Sequence, residues 1–371
     1  MHIMMTANAA WNIWNFRRSV VAALLADGHR VTILAPPDDS VPELERMGCR
    51  VVPLAMRVKG LNPLVDLALV LRLRRMFRQQ KPDAILSYTI KNNICGGLAA
   101  RLTGVPFIPN VTGLGTAFLS GGMLWKLAEA LYRRAFRGLP VIFFQNEDDR
   151  TLFVDRHLVH PGQARLLPGS GIDLALFSET AMPPPSQPAT FLMVARLLRD
   201  KGVIEFVDAA RQVKAQRPET RFQLLGAIGA ENRTAINAAT VQSWVDDGTI
   251  DYLGTTSDVR PAIAAASCVV LPSYREGAPR TLIEAAAMAR PLIATDVPGC
   301  RAVVDPGISG FLCTPRSSES LTAAIIAFLD LPHDARMKMG RAGRRKMAHN
   351  FDEAIVVAAY RDAIAALTDR G

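Results

Sequence analysis

The 371-residue chain alternates short apolar runs with amphipathic segments, breaks at a proline-rich stretch, and then begins the same alternation again. Before the break, runs of strand length fall at Met1–Met5, Val31–Ala35, Ala84–Leu86, Phe107–Ile108, Val141–Phe144 and Arg165–Leu167. Between them lie helical patterns such as Asn15–Asp27, closed by Gly28 where a C-cap glycine belongs. After it the runs are Phe191–Val194, Phe222–Leu225, Ile250–Leu253, Cys268–Leu271 and Leu292–Ala294. Strands alternating with helices require a parallel sheet covered on both faces, because each crossover lays a helix across the sheet. The expected fold class is therefore α/β, with two doubly wound, Rossmann-like domains. The break itself, Ser178–Thr190, reads SETAMPPPSQPAT, a composition that suits a linker. The expected division is 1–177, a linker at 178–190, and 191–351. The amphipathic helix within 352–371 lies far from the linker and could pack on either domain, including back on the first. Two such domains facing across a cleft would bind ligands beyond the carboxyl ends of their strands.

Composition supports this reading. Hydrophobic residues make up 49% of the chain and charged residues 21%, which suits two packed cores rather than disorder. The five cysteines are an odd number with no C-x-x-C pair, so a reducing compartment is expected. No signal peptide is visible at the apolar opening. The longest uncharged stretch, Leu102–Trp125, is broken by Pro106, Pro109 and several glycines, so it does not read as a membrane span. The net charge of +9 is uneven. Residues 1–150 hold 19 Lys+Arg against 11 Asp+Glu, whereas 151–371 hold 24 against 23. A basic first half suggests an anionic partner there.

Three segments sit where chemistry is expected. The first, Ser273–Glu284 (SYREGAPRTLIE), follows an apolar strand and enters a helix. It places Glu276 in the loop and Glu284 in the early helical turns, with Gly277, Ala278, Pro279 and Arg280 between. Unpaired N–H groups at a helix start favour phosphate, and a nearby carboxylate can accept bonds from sugar hydroxyls. Solvated charges around a helix start would give the same spacing. In the second, Phe191–Gly202, Arg196 ends a strand and Lys201 follows five residues later. Such a couple suits a diphosphate, unless both are simply exposed at a turn. The third, PGSGIDLALF at Pro168–Phe177, carries Gly169 and Gly171 without a full dinucleotide-binding fingerprint. No D-x-D occurs, and His157 and His160 lack a convincing third ligand, so no metal site is expected.

In this order, these segments resemble the family 4 glycosyltransferases of the GT-B fold. Glu276 and Glu284 form the E-x7-E pattern, Arg196, Lys201 and Gly202 the strand–Arg–Lys–Gly pattern, and Asp251–Val259 (DYLGTTSDV) looks like the nucleotide-base loop. The resemblance implies that Arg196 and Lys201 hold the diphosphate of a nucleotide-sugar donor. Glu284 would bind the ribose, Glu276 the transferred sugar, and Gly254 and Thr255 would lie in the base loop. It further implies retention of anomeric configuration without a metal or other cofactor.

LSYTIKNNICG (Leu86–Gly96), NVTGLGTAF (Asn110–Phe118) and the opening Ala7–Ser19 look like loops in members that build polyprenyl-linked surface glycans. On that basis Asn12, Asn15, Arg17, Lys91, Asn110 and Thr112 are candidate acceptor contacts. Many members carry a histidine near Asn110–Thr112, and this chain has none there, which leaves the acceptor-activating group unassigned. The segment Pro63–Phe77 mixes apolar residues with Arg72, Arg74 and Arg75, and Arg78 follows it. It could lie in an anionic membrane interface, or pack on its sheet with a solvated basic face. The expected protein is a cytoplasmic, peripherally membrane-bound, retaining glycosyltransferase. It would move a hexose or N-acetylhexosamine from a UDP-sugar to a polyprenyl-diphosphate-linked saccharide. The alternatives are the same donor chemistry on a soluble acceptor, or a two-lobed ligand-binding protein without catalysis. A nucleic-acid role is not expected, since the basic residues lack interleaved aromatics.

Overall fold

The computed structural model describes residues 1–58, 60, 62–114, 122–229, 232 and 234–368, so Gly115–Phe118 of the segment singled out above lie outside the described residues. The chain divides into two compact units, residues 1–171 with 353–371, and residues 172–352.

The first unit holds a seven-stranded sheet. Its strands are β1 (His2–Thr6), β2 (Arg30–Ala35), β3 (Arg50–Pro53), β4 (Ala84–Tyr88), β5 (Phe107–Val111), β6 (Ile142–Phe144) and β7 (Ala164–Leu166). They lie side by side in the order β3-β2-β1-β4-β5-β6-β7, all parallel. Both faces are covered, which explains the unbroken apolar runs. Ile3 and Met5 enter one core with Val20, Val21 and Tyr360, while Met4 enters the other with Leu73, Phe77 and Phe136.

The second unit repeats the plan with six strands: β8 (Thr190–Val194), β9 (Arg221–Leu225), β10 (Asp251–Tyr252), β11 (Cys268–Leu271), β12 (Leu292–Thr295) and β13 (Gly310–Cys313). The order is β10-β9-β8-β11-β12-β13, again parallel. In each unit the winding direction reverses beside the first strand, between β1 and β4 and between β8 and β11. Crossovers leave in opposite directions there, and a crevice opens at the carboxyl ends.

The expected α/β class holds, with several local differences. Strands β3 and β13 are not evident as apolar runs; β3 is a half-exposed edge strand. Gly310, which opens β13, packs so closely that a Cβ there would lie 2.0 Å from the Leu292 carbonyl oxygen. The first helix begins at Ala10 rather than Asn15. Its cap comes from Asp38, beyond β2, whose Oδ2 accepts from the Trp11 N–H at 2.8 Å.

The division falls at Gly171 and Ile172, not after 177. Ile172 and Phe177 belong to the second unit's core. Gly171 has φ 74°, and a Cβ on it would lie 2.5 Å from the Glu353 Cα. The helix Glu353–Thr368 packs on the first unit through Val356, Tyr360, Ala363 and Ile364. Arg361 completes the contact by bonding both oxygens of Asp27 at 2.7 Å.

The proline-rich stretch 178–190 is tied down rather than loose. Arg290, fully buried, donates to the carbonyls of Thr180 (3.0 Å), Ala181 (2.7 Å), Ile263 (3.1 Å) and Ala264 (2.8 Å), and to Thr180 Oγ1 (2.8 Å). With the Met288 carbonyl at 3.4 Å, six carbonyl and hydroxyl acceptors replace the carboxylate that a buried cation usually finds. Burial holds the guanidinium below its ordinary range, at about 10. Among the described residues no helix is long and apolar enough to cross a membrane. Arg290→Leu removes all of these bonds and leaves the half-buried Thr180 and Ala264 carbonyls without this donor. It is expected to lower unfolding stability by about 3 kcal/mol or more, read as a fall in the urea midpoint, with Arg290→Lys recovering only part.

Candidate functional site

The crevice between β8 and β11 collects most of the residues expected to carry the chemistry. β8 ends at Val194 and the chain turns through Ala195–Gly202 into the helix Val203–Gln216. Gly202, at φ 75°, lets this turn lie directly on the end of β11, since a Cβ there would sit 2.1 Å from the Pro272 carbonyl oxygen. The turn thereby delivers Lys201 to the loop after β11. Its Nζ meets Glu276 Oε1 at 2.5 Å, with the two side chains 24% and 12% exposed. Partial burial strengthens the attraction within such a pair and reduces its screening, at a cost in desolvation. Arg196 stands exposed beyond the end of β8, and its guanidinium has no acidic partner among the described residues.

The loop carrying Glu276 is held from several sides. Tyr274 N–H donates to the Asp200 carbonyl at 3.0 Å, joining it to the Lys201 turn. The Tyr274 hydroxyl donates to Glu205 Oε1 at 2.7 Å, and Arg316 lies 4.7 Å above the ring. Burial, reinforced by Glu205, pushes that hydroxyl up to about 12, so it stays a donor at neutral pH. Thr295 Oγ1 donates to the Ser273 carbonyl. Gly299 N–H donates to the Glu276 carbonyl at 3.2 Å, and a Cβ on Gly299 would lie 2.5 Å from the Gly277 oxygen.

Glu284 lies in the helix Arg280–Ala287 and is nearly buried. Arg280 Nε donates to its Oε1 at 2.6 Å. Burial raises the carboxyl above its usual range, and Arg280 opposes the rise. Thr281 Oγ1 donates to the Val194 carbonyl at 3.0 Å, so this helix start is fastened to the strand end beside Arg196. Pro279 is the cap residue and supplies no side-chain bond to the first-turn amides. Those amides, with half-buried Gly277 and Ala278 before them, leave a positive helix end facing the crevice side of the sheet. Gly254 and Thr255 follow β10. The Gly254 carbonyl accepts from Gly226 N–H at 2.8 Å, and a Cβ on Gly226 would clash at 1.8 Å with the Ala195 carbonyl. Gly226 thus draws the Gly254 loop against the turn bearing Arg196, while Thr255 remains exposed.

The first unit's candidates divide. Asn12 and Asn15 are half-buried in the opening turns of the helix after β1, with Asn15 Nδ2 donating to the Trp11 carbonyl at 3.1 Å. Thr112 is half-buried just after β5. Arg17 is not at a helix start. It lies in the middle of Ala10–Ala26, 2% exposed, with its guanidinium 4.6 Å over the Tyr88 ring. Asn110 is fully buried, with Nδ2 donating to Tyr360 Oη at 3.0 Å and its carbonyl accepting from Asn93 at 2.8 Å. These two lie around Tyr88 and Tyr360, where the C-terminal helix meets the sheet. Lys91 is engaged too, with Asp66 Oδ1 at 3.0 Å and the Arg57 carbonyl at 3.1 Å. Thr89, beside it, holds φ 72°, a conformation rare for a β-branched residue.

Sequence reasoning missed Tyr274, Asp200, Glu205, Gly226 and Gly299, which set the loop positions. Gly226 alone carried a signal, as a glycine directly after a strand. The others act through partners that are close only in space. Chemically, the crevice offers Arg196, without an acidic partner among the described residues, the carboxylate-paired cations Lys201 and Arg280, a helix start with no side-chain cap, and the carboxylates of Glu276 and Glu284. That set can hold an anionic leaving group beside a polyhydroxyl ligand.

Residues 13–169 match the family model described as glycosyl transferase 4-like domain, and residues 188–330 match glycosyl transferases group 1. The chain is 25% identical to the N,N'-diacetylbacillosaminyl-diphospho-undecaprenol alpha-1,3-N-acetylgalactosaminyltransferase of Campylobacter jejuni subsp. jejuni, over 97% of each chain. It is 25% identical to the UDP-Gal:alpha-D-GlcNAc-diphosphoundecaprenol alpha-1,3-galactosyltransferase of Escherichia coli, over 73% of each. The crystal structure of Anabaena HepE in complex with UDP-glucose superimposes with a TM-score of 0.79 at 17% identity, covering 99% of this chain and all of that one. Two parallel-sheet units of this topology, matched in turn by the 4-like and group 1 models, make the chain a glycosyltransferase of the GT-B fold, a member of the family that joins these two domains.

Proposed function

We propose that the protein transfers a hexose or N-acetylhexosamine from a UDP-sugar to a polyprenyl-diphosphate-linked saccharide, with retention of anomeric configuration. The observation that carries this reading is the Lys201–Glu276 contact beside exposed Arg196 at the β8/β11 crevice. In this reading the cations serve the departing diphosphate and the carboxylate serves the sugar ring. The named activities of the Campylobacter and Escherichia coli relatives support the acceptor class, and the latter's UDP-Gal and the UDP-glucose in HepE support the donor class.

In this reading the bond between the anomeric carbon and the diphosphate breaks, and the electron pair stays on the leaving UDP. Arg196 and Lys201 neutralise the charge that develops there. Lys201 is already oriented by Glu276, so it needs little reorganisation when the diphosphate arrives. Glu276 then turns its oxygens to the sugar hydroxyls, and Glu284 accepts from the ribose. The Gly277–Pro279 backbone and the amides at the start of Arg280–Ala287 complete the anion cradle. Protein cations fill the role that a divalent ion plays in other transferases. The acceptor hydroxyl adds from the face the leaving group vacates, so its proton can pass to a diphosphate oxygen.

Four outcomes test this. Glu276→Gln and Arg196→Ala should each lower turnover about 10²–10³-fold in purified protein with unchanged circular dichroism. Wild-type turnover in either removes the assignment. Glu284→Gln should act mainly on donor KM, raising it roughly tenfold or more while kcat changes less. Transfer to a polyprenyl-diphosphate sugar should continue within about twofold in excess EDTA. The anomeric configuration of the product, read from NMR coupling constants, decides retention.

A further inference from the structure

The helix Pro63–Gln80 exposes leucine where a soluble helix exposes polar residues. Leu69, Val70, Leu73 and Phe77 pack inward. On the opposite side Leu64, Leu67 and Leu71 are 79%, 56% and 52% exposed. Positions 64, 67, 68, 71, 75 and 78 follow the spacing of a single helical face. That face therefore runs from three leucines and Ala68 to Arg75 and Arg78, both exposed and without an acidic partner among the described residues. From Leu64 to Arg78 it extends roughly 20 Å. Arg72 flanks it, exposed, and donates to the Ala55 carbonyl.

The face belongs to a fixed element. Asn62 Oδ1 caps the helix by accepting from Leu64 N–H at 3.1 Å and Val65 N–H at 3.3 Å. Lys91 clamps the first turns through Asp66 and the preceding loop through the Arg57 carbonyl. The exposure is thus not a frayed end.

From this we infer that the face is a membrane-docking surface for an anionic bilayer. Its leucine end enters the acyl boundary and its arginine end rests on the lipid phosphates. Such a surface satisfies both halves, since hydrocarbon removes the leucines from water and phosphate pairs with the guanidiniums. A second copy of the chain fits poorly. The face presents no carboxylate, so self-association would bury Arg75 and Arg78 against leucines or against each other. The helix leaves the carboxyl end of β3 and returns toward the amino end of β4, so Leu64 lies on the edge of the unit where β1, β4 and β5 end. Docking by that end brings the strand carboxyl termini to the bilayer surface. The inference shares with the proposed function only a bilayer-anchored acceptor.

Co-sedimentation with phosphatidylcholine vesicles, with and without phosphatidylglycerol, tests it without donor or acceptor. Wild type should bind the anionic vesicles, and high salt should weaken but not abolish binding. Arg75→Gln with Arg78→Gln should lower the partition coefficient about 25-fold on anionic vesicles and little on neutral ones. Leu64→Ser, Leu67→Ser and Leu71→Ser together should lower it at least ~100-fold at any salt. The control Arg217→Gln, an exposed cation of the second unit, should change nothing. Unaltered binding by the folded leucine variant overturns the inference, as does wild type that ignores anionic vesicles. A lipid-free dimer abolished by the leucine substitutions overturns it as well, assigning the face to a second copy. Release of UDP from a UDP-sugar in free solution should be equal in all these variants, so loss of docking and loss of the transferase reading are separately visible.

Discussion

The ion pair between Lys201 and Glu276 depends on two carbonyl contacts that only glycine permits. Gly202 lets the turn after β8 rest on the Pro272 carbonyl, and Gly226 lets the turn after β9 rest on that of Ala195. A side chain at either position would force the strand-end loops apart, since its Cβ would lie 2.1 Å from the Pro272 oxygen or 1.8 Å from that of Ala195. The crevice is therefore set by backbone packing at the reversal of strand order, and the side-chain chemistry is placed on it afterward. Tyr274 extends this coupling, because its amide holds the Lys201 turn and its hydroxyl holds the next helix.

The two units share a topology and spend their polar residues differently. At the β8/β11 reversal Arg196 is left exposed, without an acidic partner among the described residues. At the β1/β4 reversal the comparable polar residues turn inward, where Arg17 covers Tyr88 and Asn110 bonds Tyr360. That interior network fastens the returning C-terminal helix, so the first unit is completed by residues that follow the whole of the second in the chain. Among the first unit's candidates, Asn12, Asn15 and Thr112 are the ones left half-buried, the first two in the opening turns of the helix after β1 and the third just after β5.

Most of the fold was readable because doubly buried parallel strands must be apolar throughout, which marks them without ambiguity. Strands escaped notice where that condition failed, at the edge strand β3 and at glycine-led β13. The boundary at Gly171 escaped because prolines imitate a linker, although Arg290 binds that stretch to the second unit from a distance of over a hundred residues. In the site, Arg196, Lys201, Glu276 and Glu284 were recognisable from their places after strands. Arg17 and Asn110 are buried and Lys91 is paired with Asp66, which their places near strand ends did not reveal, since a polar side chain there can face either outward or the interior.

By itself the sequence determined the class of fold, the number of units and the strand ends at which charge collects, because hydrophobic period and turn chemistry are local properties. Only the tertiary structure decided which charged groups meet. Lys201 and Glu276 are 75 residues apart, and Asp66 and Lys91 are 25 apart. Whether such side chains pair, point inward or stay free follows from the register of strands and the close approach of backbones, which no short stretch of chain encodes.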